Sequence, residues 1–259
     1  MTGPAQSRVI FVIERQVMSY WLQESIFMLL QLKQILNPMQ VKEILAALQT
    51  SDWQDGRQTA GHAARQQKLN FQLDERSPLA VELGNAILQL LGGREDFMAA
   101  ALPAKIYPPM FNCYRDGGEF GYHIDNAIRQ VPGTPVKIRT DLSMTLFISD
   151  PADYVGGELI IEDTFGTQSI KLSAGDMVLY PSTSLHRVAP VTEGQRISAF
   201  FWLQSLVRDN EQRRTLYQLD QSIQGLRRNR ADATQADAAH IDRLIGVYHN
   251  LLRQWSQTN

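Results

Sequence analysis

The stretch LHRVAPVTEGQRISAFFWLQ, residues 185–204, contains two runs rich in β-branched, aromatic and other apolar residues, parted by Glu193, Gly194 and Gln195. Alternation through the second run sets Arg196, Ser198, Phe200 and Trp202 on one face and Ile197, Ala199, Phe201 and Leu203 on the other, the period-two pattern of a strand. Upstream, AKIYPPMFNCYR, EFGYHI, LSMTLFIS, GELIIED, QSIKL and DMVLYP follow one another between Gly, Pro, Asp and Ser clusters. The whole set amounts to about eight strands in roughly 100 residues. No helical pattern of 10 to 15 residues comes between them, so parallel βαβ units are disfavoured and an antiparallel sandwich or jelly roll is expected.

Helices flank this β core on both sides in sequence, which makes the fold class α+β. Asn37-Pro38 before MQVKEILAALQ reads as an N-cap with proline at the first helical position. Pro78 to Leu91 forms a second pattern, with Ser77 as N-cap and Gly92-Gly93 as stop. Between the two, residues 51–75 are polar and turn-rich, and are expected to be a connector or a lid over a site. After Val207, RDNEQRRTLYQLDQSIQGLRR and DAAHIDRLIGVYHNLLRQW space their apolar residues as helices do. The Arg227-Arg228-x-Arg230 cluster reads as a solvated helix end.

The domain expected from these signals spans residues 28–205, followed by a C-terminal helical region, 206–259, that packs on the β core, mediates a homodimer or helps to form a substrate groove. Residues 1–27 read as an extension, a start-site artefact or a variable N-terminal arm. Their apolar run, Val9 to Ile13, is broken by Glu14 and Arg15, so the segment is neither a signal peptide nor a membrane span.

Composition narrows the function. The net charge is −2, with Lys+Arg 25 against Asp+Glu 27, so no overall basic field exists to hold nucleic acid or an anionic membrane. Cys113 is the only cysteine, which excludes an intrachain disulfide and a thiolate cluster. A reducing, cytoplasmic setting is expected, with any metal left to histidine and carboxylate.

In EFGYHIDNA, residues 119–127, the spacing of His123 and Asp125 sends both side chains to one face of a strand and turns Ile124 the other way, into packing. A third ligand would complete a 2-His-1-carboxylate set with open positions for other ligands. His62 lies in the polar connector, and His240 and His249 lie on the last helical pattern, where solvated or capping roles suit them. His186 opens a late strand that a jelly roll brings beside the early ones. Arg196 follows ten residues later. A buried guanidinium requires an anion, either an internal Asp or Glu or a bound dicarboxylate.

Tyr114-x-x-Gly117-x-x-Phe120-x-x-His123-x-Asp125, Gly156-Gly157-Glu158-Leu159, Ala174-Gly175-Asp176, His186, Gly194 and Arg196 together resemble the Fe(II)/2-oxoglutarate dioxygenases of the prolyl and lysyl hydroxylase superfamily. DGRQTAG, RTDLSMTLFISDP, GGELIIEDTFG, LYPSTSLHRVAPVTEGQR and YHNLLRQWS resemble the bacterial PKHD-type hydroxylases in particular, over about residues 28–259. The resemblance implies a double-stranded β-helix, with iron held by His123, Asp125 and His186. It also implies that Arg196 pairs with the distal carboxylate of 2-oxoglutarate, that Tyr114 donates its hydroxyl to the same carboxylate, and that ascorbate is the reductant. The implied reaction consumes O₂, converts 2-oxoglutarate to succinate and CO₂, and hydroxylates a C–H bond of a peptidyl or small-molecule substrate, with a link to iron homeostasis. Gly156-Gly157 is expected to supply turn geometry and close backbone approach.

Two other readings share parts of this pattern. A cupin-like metal-binding isomerase or a noncatalytic iron/2-oxoglutarate sensor could use the fold and the histidines, but an isomerase would not require Arg196. A nucleic acid demethylase of the same superfamily is disfavoured, since no second arginine follows Arg196 on its strand and the charge balance is acidic.

Overall fold

The computed structural model describes residues 29–59, 67–163, 166–228 and 235–258. The expected N-terminal extension, His62 and Arg230 lie outside the described residues.

The helical signals are realised as written. Helix α1 (Pro38–Gln49) begins with a reciprocal cap, in which Asn37 accepts from the Gln40 N–H at 3.0 Å and the Gln40 side chain accepts from the Asn37 N–H at 2.9 Å. Helix α2 (Pro78–Gly92) is capped by Ser77 and stopped by Gly93. Helix α3 (Glu95–Ala101) was not anticipated; it is only two turns long, and no periodic pattern announces a helix that short. Helices α4 (Asn210–Arg228) and α5 (Gln235–Trp255) close the described chain.

Sixteen strands run through the described residues. Strands β1 (Leu30–Leu32), β2 (Trp53–Asp55), β3 (Lys68–Leu69) and β4 (Phe71–Leu73) precede the β-rich half. It contains β5 (Pro103–Ile106), β6 (Met110–Tyr114), β7 (Gly118–His123), β8 (Ile128–Gln130), β9 (Lys137–Arg139) and β10 (Leu142–Phe147). Strands β11 (Tyr154–Gly156), β12 (Leu159–Asp163), β13 (Gly166–Ile170), β14 (Met177–Pro181), β15 (Leu185–Gly194) and β16 (Arg196–Ser205) complete it. Each run identified in the sequence is a strand, and AKIYPPMFNCYR is two of them, parted at Pro108-Pro109, which have no N–H to give a ladder.

Every pairing is antiparallel, in two facing sheets and a hairpin. The major sheet runs β1-β14-β10-β16-β6-β4-β2, with β5 also on β16; the minor sheet runs β13-β12-β15-β7-β3, with β11 also on β15; β8 and β9 form the hairpin. This is the double-stranded β-helix. Helices α1, α2 and α3 cover the outer face of the major sheet, where Ile197, Ala199, Phe201 and Leu203 join Ile44, Leu48, Ile87 and Phe97 in one core. The opposite face of β16, with Arg196 and Ser198, looks toward the minor sheet across a cavity.

The connector expectation for 51–75 is corrected. Residues 68–73 join both sheets, since Lys68 pairs with Phe120 of β7 and Phe71 with Cys113 of β6. The crossing residue between them is Asn70. Its strand was hidden because the pattern is inverted: Lys68, Asn70 and Gln72 are buried while Leu69 is exposed. Burial of the polar positions makes sense only beside a polar cavity.

Helices α4 and α5 fold onto the β core. Leu216 packs with Leu102 and Val207 under Tyr248, Leu252 and Trp255, and the Gln257 N–H reaches the Leu206 carbonyl at 2.7 Å. Arg213 is buried at this seam and donates to the Val207 and Arg208 carbonyls. Among the described residues no helix is long and apolar enough to cross a membrane.

Candidate active site

The pairing of β7 with β15 brings His123 and His186 opposite one another in the minor sheet. Their ring centroids lie 4.2 Å apart, with Phe120 stacked on His123 and Tyr180 edge-on to His186. One ligand atom from each of His123, Asp125 and His186 falls within 4.8 Å of the other two. His240, near the start of α5, and His249, near its end, are exposed side chains, as their solvated reading anticipated.

Two details differ from the expectation. Strand β7 ends at His123, so Asp125 is brought to the histidines by the segment after the strand rather than by alternation within it. Ile124 does not line the cavity, but it is 58% exposed and belongs to no core cluster among the described residues. The segment is held from the side instead: Thr140 donates its hydroxyl to the Asn126 carbonyl at 2.7 Å and its N–H to the Ala127 carbonyl at 3.0 Å.

Hydrogen bonds set the chemical state of the cluster. His123 Nδ1 lies 2.8 Å from the Gly121 carbonyl and His186 Nδ1 lies 3.0 Å from the Ser184 carbonyl. A carbonyl only accepts, so each Nδ1 carries a proton, which leaves Nε2 as the ring atom free to face a ligand. Burial, followed by the charge of His186, pushes the His123 imidazole down to about 4, which keeps it neutral at pH 7. Asp125 Oδ2 accepts from the Ser143 hydroxyl at 2.6 Å, and Ser143 is itself 2.7 Å from the Ser182 hydroxyl. Two imidazoles and a carboxylate on one side of a cavity suit a divalent first-row metal.

Across a cavity of about 60 Å³ stands Arg196, 1% exposed and paired in register with Tyr114 of β6. Its guanidinium donates to Ser198 at 2.9 Å, and Ser198 in turn donates to Asn112 at 2.5 Å. Its carbon lies 5.3 Å from the Tyr114 ring and 5.1 Å from that of Phe147, and Nε has no hydrogen-bond partner among the described residues. Among the described residues no carboxylate comes within 4 Å of it, so the internal ion pair considered for Arg196 is absent. A buried guanidinium in that state fits an anionic ligand. Burial pushes the Tyr114 hydroxyl above its ordinary range, which keeps it protonated and able to donate.

Gly156 and Gly157 do what was expected of them. Both have positive φ, a Cβ on Gly156 would come within 2.0 Å of the Pro190 carbonyl, and one on Gly157 within 2.9 Å of Arg196 Cδ. Gly157 thus leaves the room that the arginine stem occupies.

Sequence reasoning missed several lining groups: Lys68 and Asn70 from the connector, Asn112, Ser143, Thr145 and Tyr180. Ser143 and Thr145 alternate in LSMTLF and could have been found from that spacing, whereas nothing in the inverted KLNFQL pattern marks Lys68 or Asn70. Burial, helped by Arg129, pushes the Lys68 ammonium down to about 7.

Residues 109–204 match the 2OG-Fe(II) oxygenase superfamily, and residues 210–257 match the PKHD-type hydroxylase C-terminal domain. A PKHD-type hydroxylase from Saccharophagus degradans is 57% identical over 231 residues, covering 89% of this chain and 100% of its own. Another, from Stutzerimonas stutzeri, is 54% identical over 228 residues, 88% of this chain and 99% of its own. A solved prolyl hydroxylase from Trichoplax adhaerens, in complex with a hypoxia inducible factor oxygen degradation domain peptide fragment, is 16% identical. It aligns with a TM-score of 0.50 over 83% of this chain and 97% of that one.

Proposed function

The chain belongs to the PKHD-type hydroxylases of the 2OG-Fe(II) oxygenase superfamily and is a 2-oxoglutarate-dependent dioxygenase; from that premise we propose how its own residues serve the reaction. His123, Asp125 and His186 hold Fe(II), and Arg196 with Tyr114 binds the distal carboxylate of 2-oxoglutarate. The product is a hydroxylated C–H bond on a peptidyl or small-molecule substrate, with ascorbate as reductant. Residues 28–205 form the dioxygenase domain, and residues 206–259 a helical region folded onto it.

The observation that carries this reading is the placement of the donor set and an anion-seeking arginine on opposite walls of one cavity. Bound iron supplies the O₂ chemistry that oxidatively decarboxylates the 2-oxo acid and attacks an unactivated C–H bond. The chain's part is to orient and to exclude water. The Gly121 and Ser184 carbonyls fix both imidazoles with Nε2 toward the metal position, and Ser143 fixes the carboxylate. The guanidinium fork takes the carboxylate in two-point geometry, with the neutral Tyr114 hydroxyl beside it. Val188, Leu159 and Phe120 wall the cavity with apolar surface.

The test is anaerobic addition of Fe(II) and then 2-oxoglutarate to the full chain, watched by visible absorption. A charge-transfer band is expected, as is succinate release on admitting O₂. In Arg196→Met the 2-oxoglutarate concentration needed for the band should rise about a hundredfold, with Fe(II) binding unchanged. An unshifted titration in that variant would remove Arg196 from the site.

A further inference from the structure

The cavity wall holds one buried amide for which the roles proposed above find no use. Asn70 is 5% exposed and lines the cavity, and neither atom of its carboxamide has a hydrogen-bond partner among the described residues. A buried amide without partners is a group that a ligand completes. It sits where the chain crosses from the minor to the major sheet and neighbours the Tyr114 hydroxyl, whose pKa its carboxamide lowers against the effect of burial. Arg196, whose guanidinium carbon lies 5.3 Å from the Tyr114 ring, has an Nε that is unpartnered among the described residues. Asn70 and Arg196 are therefore both neighbours of the same phenol.

The position of Asn70 is built rather than incidental. The Gly56 N–H donates to the Asn70 carbonyl at 2.9 Å, and a Cβ on Gly56 would lie 1.9 Å from Asn70 Oδ1, so only glycine admits the carboxamide there. Asp55 and Arg57, on either side of Gly56, are ion-paired and brace the turn. The Asp55-Gly56-Arg57 segment, which does not itself line the cavity, thus holds a cavity residue in place.

We infer that Asn70 is a third cosubstrate-binding residue, its carboxamide N–H donating to the distal carboxylate of 2-oxoglutarate beside Arg196 and Tyr114. A carboxylate offers about four acceptor sites, and the arginine fork fills two of them, which leaves room for an amide and a phenol. The inference rests on the role proposed for Arg196.

It is tested with the full chain loaded anaerobically with Fe(II) and titrated with two probes, 2-oxoglutarate and 2-oxopentanoate, which lacks the distal carboxylate. Asn70→Ala should weaken 2-oxoglutarate about tenfold or more while leaving 2-oxopentanoate and Fe(II) affinity unchanged. Gly56→Ala should show the same selectivity by displacing the amide. Asn70→Asp, nearly identical in size and so tolerant of folding, should weaken 2-oxoglutarate further by opposing it with a like charge. Equal weakening of both probes, or no weakening of either, overturns the inference. Arg196→Met run in parallel separates the two ideas: if it discriminates between the probes and Asn70→Ala does not, only the role of Asn70 fails. If neither variant discriminates, the anion site itself fails.

Discussion

The major sheet is buried on both faces and the minor sheet on one. Strands β6 and β10 are buried at every position and β16 at nearly every one, between the helices and the cavity, whereas on β7 only Gly118 is fully buried. The outer face of the minor sheet leaves Leu69, Tyr122, Ile124 and Leu185 to solvent. The proposed division of labour follows this difference. The anion anchor stands on the sheet with little freedom to move, where a misplaced guanidinium would be costly. The metal donors stand on the thinner sheet, two as register partners and the third on a segment tied to the major sheet through Ser143 and Thr140.

The largest effect is expected where the minor sheet carries the donors. In His186→Ala, Fe(II) affinity should fall by more than a factor of about 100, since losing even the outer partners of a metal ligand costs 10- to 100-fold. Metal content after gel filtration measures this, and retention of stoichiometric iron would remove His186 from the donor set. Next comes the contrast between the sheets. Phe201→Ala, which empties a fully buried position of the major sheet, should cost about 3 to 5 kcal/mol in urea unfolding, against less than about 0.5 kcal/mol for Ile124→Ala. Similar losses for the two would mean that the minor sheet's outer face is covered in solution.

Acid should sharpen the comparison further. His123 is held at about 4 by burial, whereas the unfolded chain's histidine titrates near 6.5. Between those values the unfolded state binds the extra proton, so the stability present above pH 6.5 is lost as pH falls toward 4. The loss should reach up to about 3 kcal/mol in metal-free protein, and should be smaller in His123→Asn. Asp55, lowered to about 2 mainly by its hydrogen bonds from Arg57, acts at more acid pH and does not overlap that window. A flat profile from pH 7 to 4.5 would contradict the buried, neutral state of His123. The smallest expected effect lies at the link between the sheets. Ser143→Ala should weaken Fe(II) binding about tenfold with 2-oxoglutarate affinity at saturating iron unchanged; unaltered iron affinity would show that Asp125 does not depend on the major sheet.

Much of this was legible in the sequence, and the failures share a cause. The face assignment along β16, the two helix caps and the glycine pair are local matters, set by residues adjacent in sequence. His123, Asp125, His186, Tyr114 and Arg196 were named because their spacing matched a known pattern, and the structure brings all five to one cavity. Asn70 and Lys68 escaped notice because burial of polar residues inverts the rule by which strands are recognised. Ile124 was assigned to packing from alternation alone, and alternation gives the direction of a side chain, not whether anything covers it.

By itself, then, the sequence determined the main strands of the β-rich half, the caps of α1 and α2 and the chemical types of the donors, since alternation, capping and spacing act within a few residues along the chain. Only the tertiary structure decided that Asn70 crosses between the sheets to stand beside Tyr114 and Arg196, and that Asp125 reaches the histidines from beyond the end of its strand. Those arrangements depend on cross-strand register and on which surfaces are covered, both set by contacts among residues far apart in sequence.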